Sequence, residues 1–288
     1  PVYLEFPIDV LNTSVQKGAV RYTHTSVISN PADPDKAAQL IDMIQKAKRP
    51  VVIAGTGAWQ SHAEAEVKDF IEKTGMPLFT SLSGRGVVSD AHPLCFEGAI
   101  AIRPGCGFAA YIETDLIIIL GSRICLYYLF GDIFNPAAKI AQVDIEPEEI
   151  GRNRSVDLPV VSDVKGFLKA CNQLLNDELA DELKLNFAPW IGKLTTAHKE
   201  SKEMTQKDWQ SENIPIHPLR LACEINEFMN QKTDIVVADG GDTTTWMGMT
   251  RTMTHAGRYL DYGIFGSLAV GLPYANAAKL LNPDGRVC

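Results

Sequence analysis

Five short apolar runs, at residues 50–54, 77–80, 116–120, 139–144 and 159–161, constrain the fold of this 288-residue chain more than any other feature. Each has the length of a buried strand rather than of a helix. Around them the apolar residues change to helical spacing, as at Ala37, Leu40, Ile41, Ile44 and Ala47 within residues 34–48. Helical patterns recur at 63–74 and 164–175. Strands alternating with helices imply a mostly parallel sheet covered by helices on both faces.

The expected class is therefore α/β, with a Rossmann-like parallel-sheet central domain over 34–175. Residues 176–213 turn Lys- and Glu-rich, carry Trp190 and Trp209 and show no strand signal, so they read as a helical connector. A second, incomplete α/β domain is expected over 214–288. It has a helix at 219–229, a strand at 234–238, a helix at 244–253 and a strand at 258–260, and then the glycine-rich tail. Residues 1–11 read as a strand with Val2, Leu4 and Phe6 on one face, and 12–33 as a linker, making 1–33 the first division. Because the chain opens in a strand and ends at Gly285-Arg-Val-Cys288, which reads as the start of another, it is expected to be a piece of a longer polypeptide.

Charge and cysteine usage narrow the function. A net charge of −8 with no basic stripe argues against nucleic acid as a partner. No apolar run approaches the roughly 18 residues that span a bilayer, so no membrane partner is expected. The six cysteines include no C-x-x-C pair and no histidine at ligand spacing, which reads as reduced cytoplasmic thiols with no metal site. The histidines, 24, 62, 92, 198, 217 and 255, stand apart from one another, and no Gly-x-Ser-x-Gly elbow occurs.

Chemistry concentrates at the glycine-bearing strand ends. In Val51-Val-Ile-Ala-Gly-Thr-Gly57, Gly55 and Gly57 either let a phosphate approach or simply make a tight strand–helix turn. Leu120-Gly-Ser-Arg123 puts a cation after a buried strand, and Val143-Asp-Ile-Glu-Pro147 puts a carboxylate where ribose hydroxyls would bind. In Val237-Ala-Asp-Gly-Gly-Asp-Thr-Thr-Thr245, a diphosphate would suit the helix start, or Asp242 or Thr243 would act as an N-cap. Gly263-Ile-Phe-Gly-Ser-Leu-Ala-Val-Gly-Leu-Pro273 ends in a turn directly before a helical run, with glycines that let a backbone pass close to a bulky group. Arg85 and Arg103 sit in glycine-bearing loops and read as surface arginines.

The Gly-Ser-Arg, Val-Asp-Ile-Glu-Pro and Gly-Ser-Leu-Ala-Val-Gly-Leu-Pro segments, with the opening Pro-Val-Tyr-Leu-Glu-Phe-Pro, resemble thiamine diphosphate-dependent enzymes. The resemblance is to the acetolactate synthase-like and oxalyl- or 2-hydroxyacyl-CoA lyase branches, and it covers essentially the whole chain. It implies a pyrimidine-binding, a central and a diphosphate-binding domain, of which this chain holds the last strand of the first, all of the second and the first part of the third. Gly241, Asp242 and Thr243 then match diphosphate contacts, while Gly266, Ser267 and Leu268 match the grip on the aminopyrimidine. An adenine nucleotide, FAD or ADP, is implied at Gly55, Gly57, Arg123, Asp144, Ile145 and Asp163. Asp242 departs from the pattern, and so does Ile124-Cys-Leu-Tyr-Tyr128, which weakens FAD and leaves ADP, CoA-type recognition or an empty site open.

The family's catalytic glutamate and its Mg²⁺ ligands fall outside these residues, so no catalytic or metal-ligating residue is expected here, Glu5 included. The implied function is a C–C lyase or carboligase acting on a 2-keto acid, with a small-molecule substrate and a homo-oligomeric parent. The isolated chain is expected to be inactive. The alternatives are an oxalyl-CoA decarboxylase or 2-hydroxyacyl-CoA lyase, or a non-catalytic adenine-nucleotide-binding module.

Overall fold

The computed structural model describes residues 5–18, 32–96 and 105–288. Val2, Leu4, His24 and Arg103 lie outside them. After a one-turn helix α1 (Ile8–Leu11), the chain runs α2 (Pro34–Lys46), β1 (Pro50–Ala54), α3 (Thr56–Gln60), α4 (Glu64–Thr74), β2 (Leu78–Thr80) and β3 (Cys95–Phe96). It continues through α5 (Gly107–Glu113), β4 (Leu116–Leu120), β5 (Lys139–Asp144), β6 (Leu158–Val161), α6 (Val164–Leu174) and α7 (Asp177–Trp209). The last elements are α8 (Pro218–Phe228), β7 (Val236–Val237), α9 (Asp242–Thr250), β8 (Tyr259–Leu260) and α10 (Gly271–Leu281).

Six strands form one parallel sheet in the order β3-β2-β1-β4-β5-β6. β1 and β4 are buried at every residue, as a parallel strand covered on both faces must be. Side chains along the central strands alternate between two cores. Val52, Ile118 and Val143 face α2, α4 and α6, while Val51, Ile53 and Ile117 face Tyr111, Tyr128 and Phe134. The chain reverses its direction of travel across the sheet between β1 and β4, which is where doubly wound sheets open a crevice at their carboxyl ends.

α7 joins the two cores. Leu183 and Phe187 enter the first and Trp190 and Leu194 the second, and the Trp190 indole donates to the Pro50 carbonyl at 3.1 Å. The predicted helical connector is thus one 33-residue helix, continuous through Pro189, whose first half belongs to the packing of the six-stranded body. Beyond it, β7 and β8 pair in parallel, and Ile235 bridges Val287 on the other side. Of the strand expected at 285–288 the structure forms this single bridge, with the Ile235 and Val237 amides donating to the Arg286 and Cys288 carbonyls.

Three expectations need correction. Residues 8–11 are helical, not extended: Pro7 starts the turn, and the Asn12 and Thr13 side chains tie back to the Ile8 and Asp9 carbonyls. The strand expected at 234–238 is regular only at Val236–Val237, because β8 offers it a two-residue partner. The helix expected at 244–253 begins at Asp242 and ends at Thr250, where Arg251 turns extended.

Candidate functional site

The Gly240–Gly241 turn after β7 feeds straight into α9. Gly241, at φ +93°, is the N-cap residue and offers no side-chain acceptor, so the first amides of α9 keep their donors free of a side-chain cap. Asp242 and Thr243 are therefore the first two helical residues and not the cap. Thr244 ties the turn down by donating its hydroxyl to the Asp239 carbonyl at 2.5 Å.

Asp239 was not singled out by sequence, yet it joins the two helix starts. Its carboxylate accepts from the Gly240 amide at 2.7 Å and from the Val270 amide, just before α10, at 3.1 Å. The Gly240 N–H, with those of Gly271, Val270 and Ala269, holds this carboxyl below the ordinary aspartate range. The only sequence signal was an acid immediately ahead of a Gly-Gly pair, which reads equally well as a strand end.

Gly266, Ser267 and Leu268 lie against this turn. A Cβ added to Gly240 would sit 2.5 Å from Leu268 Cδ2 and 3.0 Å from the Ser267 carbonyl oxygen, so the two segments pass close together here. Gly266 (φ +65°) and Ala269 (φ +64°) are both left-handed, and Leu268 is 72% exposed. All six residues expected to hold a thiamine cofactor are exposed, and their two segments approach each other where Gly240 meets Ser267 and Leu268. Nothing lies within 4 Å of a Cβ built on Gly241 or Gly266. An uncapped nine-residue helix start with open space above it fits a diphosphate, and a projecting leucine beside bare carbonyls fits a flat ring. Asp242 brings a negative charge to the same helix start, which a diphosphate tolerates only with a cation between them. Among the described residues no three His, Cys, Asp or Glu side chains gather to hold that cation.

The sheet's own crevice is built differently. The Gly55 and Gly57 amides are spent on the Leu120 and Gly121 carbonyls, at 3.0 and 2.9 Å. A Cβ on Gly55 would meet Ser122 Cβ at 2.5 Å, and one on Gly57 would meet Gly121 Cα at 2.8 Å. These glycines let two loops touch, which favours the tight-turn reading of the motif over a phosphate cradle.

Arg123 pairs with Glu149 at 3.3 Å, and Glu149 also takes Arg152 at 2.7 Å. Asp144 accepts from the Glu146 amide, and burial raises its carboxyl above the ordinary range. Ile145 beside it is exposed. Asp163 caps α6 by accepting from the Gly166 amide at 2.8 Å. Of the six residues expected to hold an adenine nucleotide, Arg123, Asp144 and Ile145 share one rim, while the other three already have structural work.

Arg85 is not a surface arginine. It is 4% exposed and reaches into the two-stranded body, donating to the Arg251 carbonyl at 2.6 Å and to Asp90 at 3.3 Å. Its guanidinium lies 5.3 Å from the centre of the Tyr259 ring. Asp90 exchanges two hydrogen bonds with the backbone of Met253, at 2.7 and 2.8 Å. Gly86 (φ +86°) lets the backbones meet, since its Cβ would fall 2.4 Å from the His255 carbonyl.

Residues 37–171 match the thiamine pyrophosphate enzyme central domain, and residues 239–288 match the C-terminal TPP binding domain of the same enzymes. The chain belongs to the thiamine pyrophosphate enzymes. It is 31% identical to a probable acetolactate synthase large subunit of Methanococcus aeolicus, over all of this chain and 50% of that protein. It is 29% identical to human 2-hydroxyacyl-CoA lyase 1, over 98% of this chain and 48% of the lyase. With the oxalyl-CoA decarboxylase of Escherichia coli K12 it shares 26% identity, over 97% and 49%. The chain spans about half the length of the curated relatives it matches. In thiamine pyrophosphate enzyme terms, the six-stranded sheet is the central domain, and the turns at 240–243 and 266–268 fall in the TPP-binding part. Among the described residues, no helix is long and apolar enough to cross a membrane.

Proposed function

We propose that this chain supplies the central and diphosphate-binding parts of an acetolactate synthase-like enzyme that makes or breaks the bond beside the carbonyl of a 2-keto acid. The observation that carries this reading is the contact between the uncapped start of α9 and the Gly266–Ser267–Leu268 segment across Gly240. When bound, thiamine diphosphate supplies the electron sink such chemistry needs. The amides at Gly241, Asp242 and Thr243 would receive its diphosphate. The Gly266 carbonyl and the Ser267 and Leu268 side chains would orient its pyrimidine ring, with Leu268 wedging it from the apolar side. Mg²⁺ would supply the positive charge that lets a diphosphate share this helix start with Asp242, and its ligands lie outside the residues gathered here.

We divide the chain at 33, 175 and 213, as the sequence reading does. The matches to about half of each relative support a further reading: turnover requires the rest of such an enzyme, as a homo-oligomer, and the chain alone is inactive. The buried thiols of Cys95, Cys106 and Cys171 suit a reducing, cytoplasmic setting. An adenine nucleotide, FAD or ADP, would rest on the Arg123 and Asp144 rim without amides from the Gly55–Gly57 turn.

The test is amide exchange with and without millimolar thiamine diphosphate and Mg²⁺. Protection confined to 240–244 and 263–271 supports the reading, and no protection at either turn overturns it. Pyruvate consumption by the chain alone would overturn the claim of inactivity.

A further inference from the structure

The loop that follows β4 is anchored at three points. Asn153 donates to the Ile124 carbonyl at 2.5 Å, Arg154 donates to the Gly131 and Phe134 carbonyls at 2.7 and 3.0 Å, and Tyr128 is sunk into the core against Tyr111 and Phe134. Between these anchors, Leu129 (φ +48°) and Phe130 (φ +55°) are both left-handed without being glycine. Such a conformation persists only where the surroundings enforce it, and such strain collects at functional segments. With Tyr128 turned inward, its neighbour Tyr127 faces the other body. The Tyr127 hydroxyl donates to the Gly263 carbonyl at 3.1 Å, across 136 positions of sequence.

Gly263 opens the tight turn Gly263–Phe265 that leads directly into Gly266, Ser267 and Leu268. Gly263, Gly266 and Ala269 all have positive φ, and residues 265–269 are exposed. Locally, the Gly263 amide is held by the Asp261 carboxylate at 2.9 Å. Burial, together with the adjacent Tyr262 hydroxyl, holds the Tyr127 phenol well above its ordinary range, so it stays a protonated donor at any physiological pH.

We propose that Tyr127 is a positioning residue: the central sheet uses it to hold the turn at 263–265, and through that turn the pyrimidine-gripping residues 266–268, in place. The proposal rests on the reading of 266–268 as that grip. It makes the strained loop after β4 part of the cofactor site's support, although it touches no cofactor itself.

The test is Tyr127→Phe in the full chain, which keeps the ring and removes the donor. Losing one such hydrogen bond should speed amide exchange across 261–270 about fivefold. Exchange in β1 and β4 and the melting temperature should stay as in the parent. Unchanged exchange at 261–270, or equal loosening throughout the chain, overturns the proposal. A second readout separates positioning from general loosening: the affinity for thiamine diphosphate should fall while that for inorganic pyrophosphate holds, and a parallel fall in both counts against it. If the unsubstituted chain takes up neither ligand, the proposed function is in question, and the exchange result still decides the role of Tyr127.

Discussion

The six-stranded and two-stranded bodies of this chain are stabilised in different ways. In the first, β1 and β4 are buried at every position, and two cores flank the sheet with Phe70, Phe79, Phe134 and Phe167 almost fully enclosed. In the second, each paired strand is two residues long, and the core is Ala222, Met229, Val236, Ala238, Met247, Met253 and Tyr259. A two-stranded sheet is marginal by itself in water. The second body nevertheless carries the turns that suit a diphosphate and a pyrimidine. Its order is largely borrowed, through the Arg85–Asp90 contact with Arg251 and Met253 and through Tyr127 on Gly263. The site's rigidity therefore depends on side chains that belong to the other body.

The strongest way to break this comparison is Asp90→Ala. The Asp90 and Arg85 side chains are 1% and 5% exposed, so the substitution leaves a buried guanidinium without its carboxylate. Removing one partner of a buried pair costs about 3–5 kcal/mol. Urea unfolding followed at Trp246 should shift to lower denaturant, while unfolding followed at Trp190 moves much less. Coincident transitions at the two tryptophans would show that the bodies share one cooperative core.

Gly86→Ala sharpens the same point with a smaller effect. The new Cβ would need a left-handed backbone and would press on the His255 carbonyl. Strain of this kind costs about 1–3 kcal/mol, and it should again appear first at Trp246. A transition unchanged at Trp246 would mean that the two backbones separate freely.

The two bodies also differed in how far they could be read from sequence. β1 and β4 fall at their predicted boundaries because a strand buried on both faces must be a continuous apolar run. β3 and α5 went unread because two and seven residues are too few to show a period. At the site, Gly241–Thr243 and Gly266–Leu268 were legible through the family resemblance of their segments, in which glycines mark the turns: Gly241 and Gly266 both take the positive φ that glycine favours. The same logic left Gly55 and Gly57 ambiguous, since a neighbouring peptide demands glycine as strictly as a phosphate does. Arg85 was misread because its burial is supplied by Arg251 and Tyr259, more than 160 positions away, and no local pattern reports that. Asp239 was passed over because its role depends on Val270 arriving beside it.

Asp163→Ala probes the self-sufficient body. The carboxylate caps α6 through the Gly166 amide, and loss of such a cap costs about 1 kcal/mol. That loss should appear as a small shift at Trp190, with no separation from Trp246 beyond that of the parent chain. Affinity for ADP or FAD, if either binds, should not change, because the carboxylate is already committed. A nucleotide affinity that falls with the cap would restore Asp163 to the nucleotide site.

The smallest expected effect is a change in acid sensitivity at the edge of the two-stranded body. Asp234 receives Arg286 at 3.0 and 2.5 Å and the Gln231 amide at 2.9 Å. The Arg286 hydrogen bonds, against the opposing effect of burial, hold its carboxyl below the ordinary aspartate value. A depressed folded value means the contribution is fully present above the unfolded value of about 3.9 and is lost as pH falls through the lower, folded one. Thermal unfolding followed at Trp246 should therefore steepen its fall with pH below about 4, and Asp234→Asn should remove that added slope while leaving the neutral-pH curve only slightly lower. The effect is modest because Arg286 is 39% exposed and solvent screens the pair. Parallel acid limbs in the two proteins would mean that the Asp234–Arg286 pair adds nothing to the second body's own stability, which would leave the contacts from Arg85, Asp90 and Tyr127 as its charged and polar support.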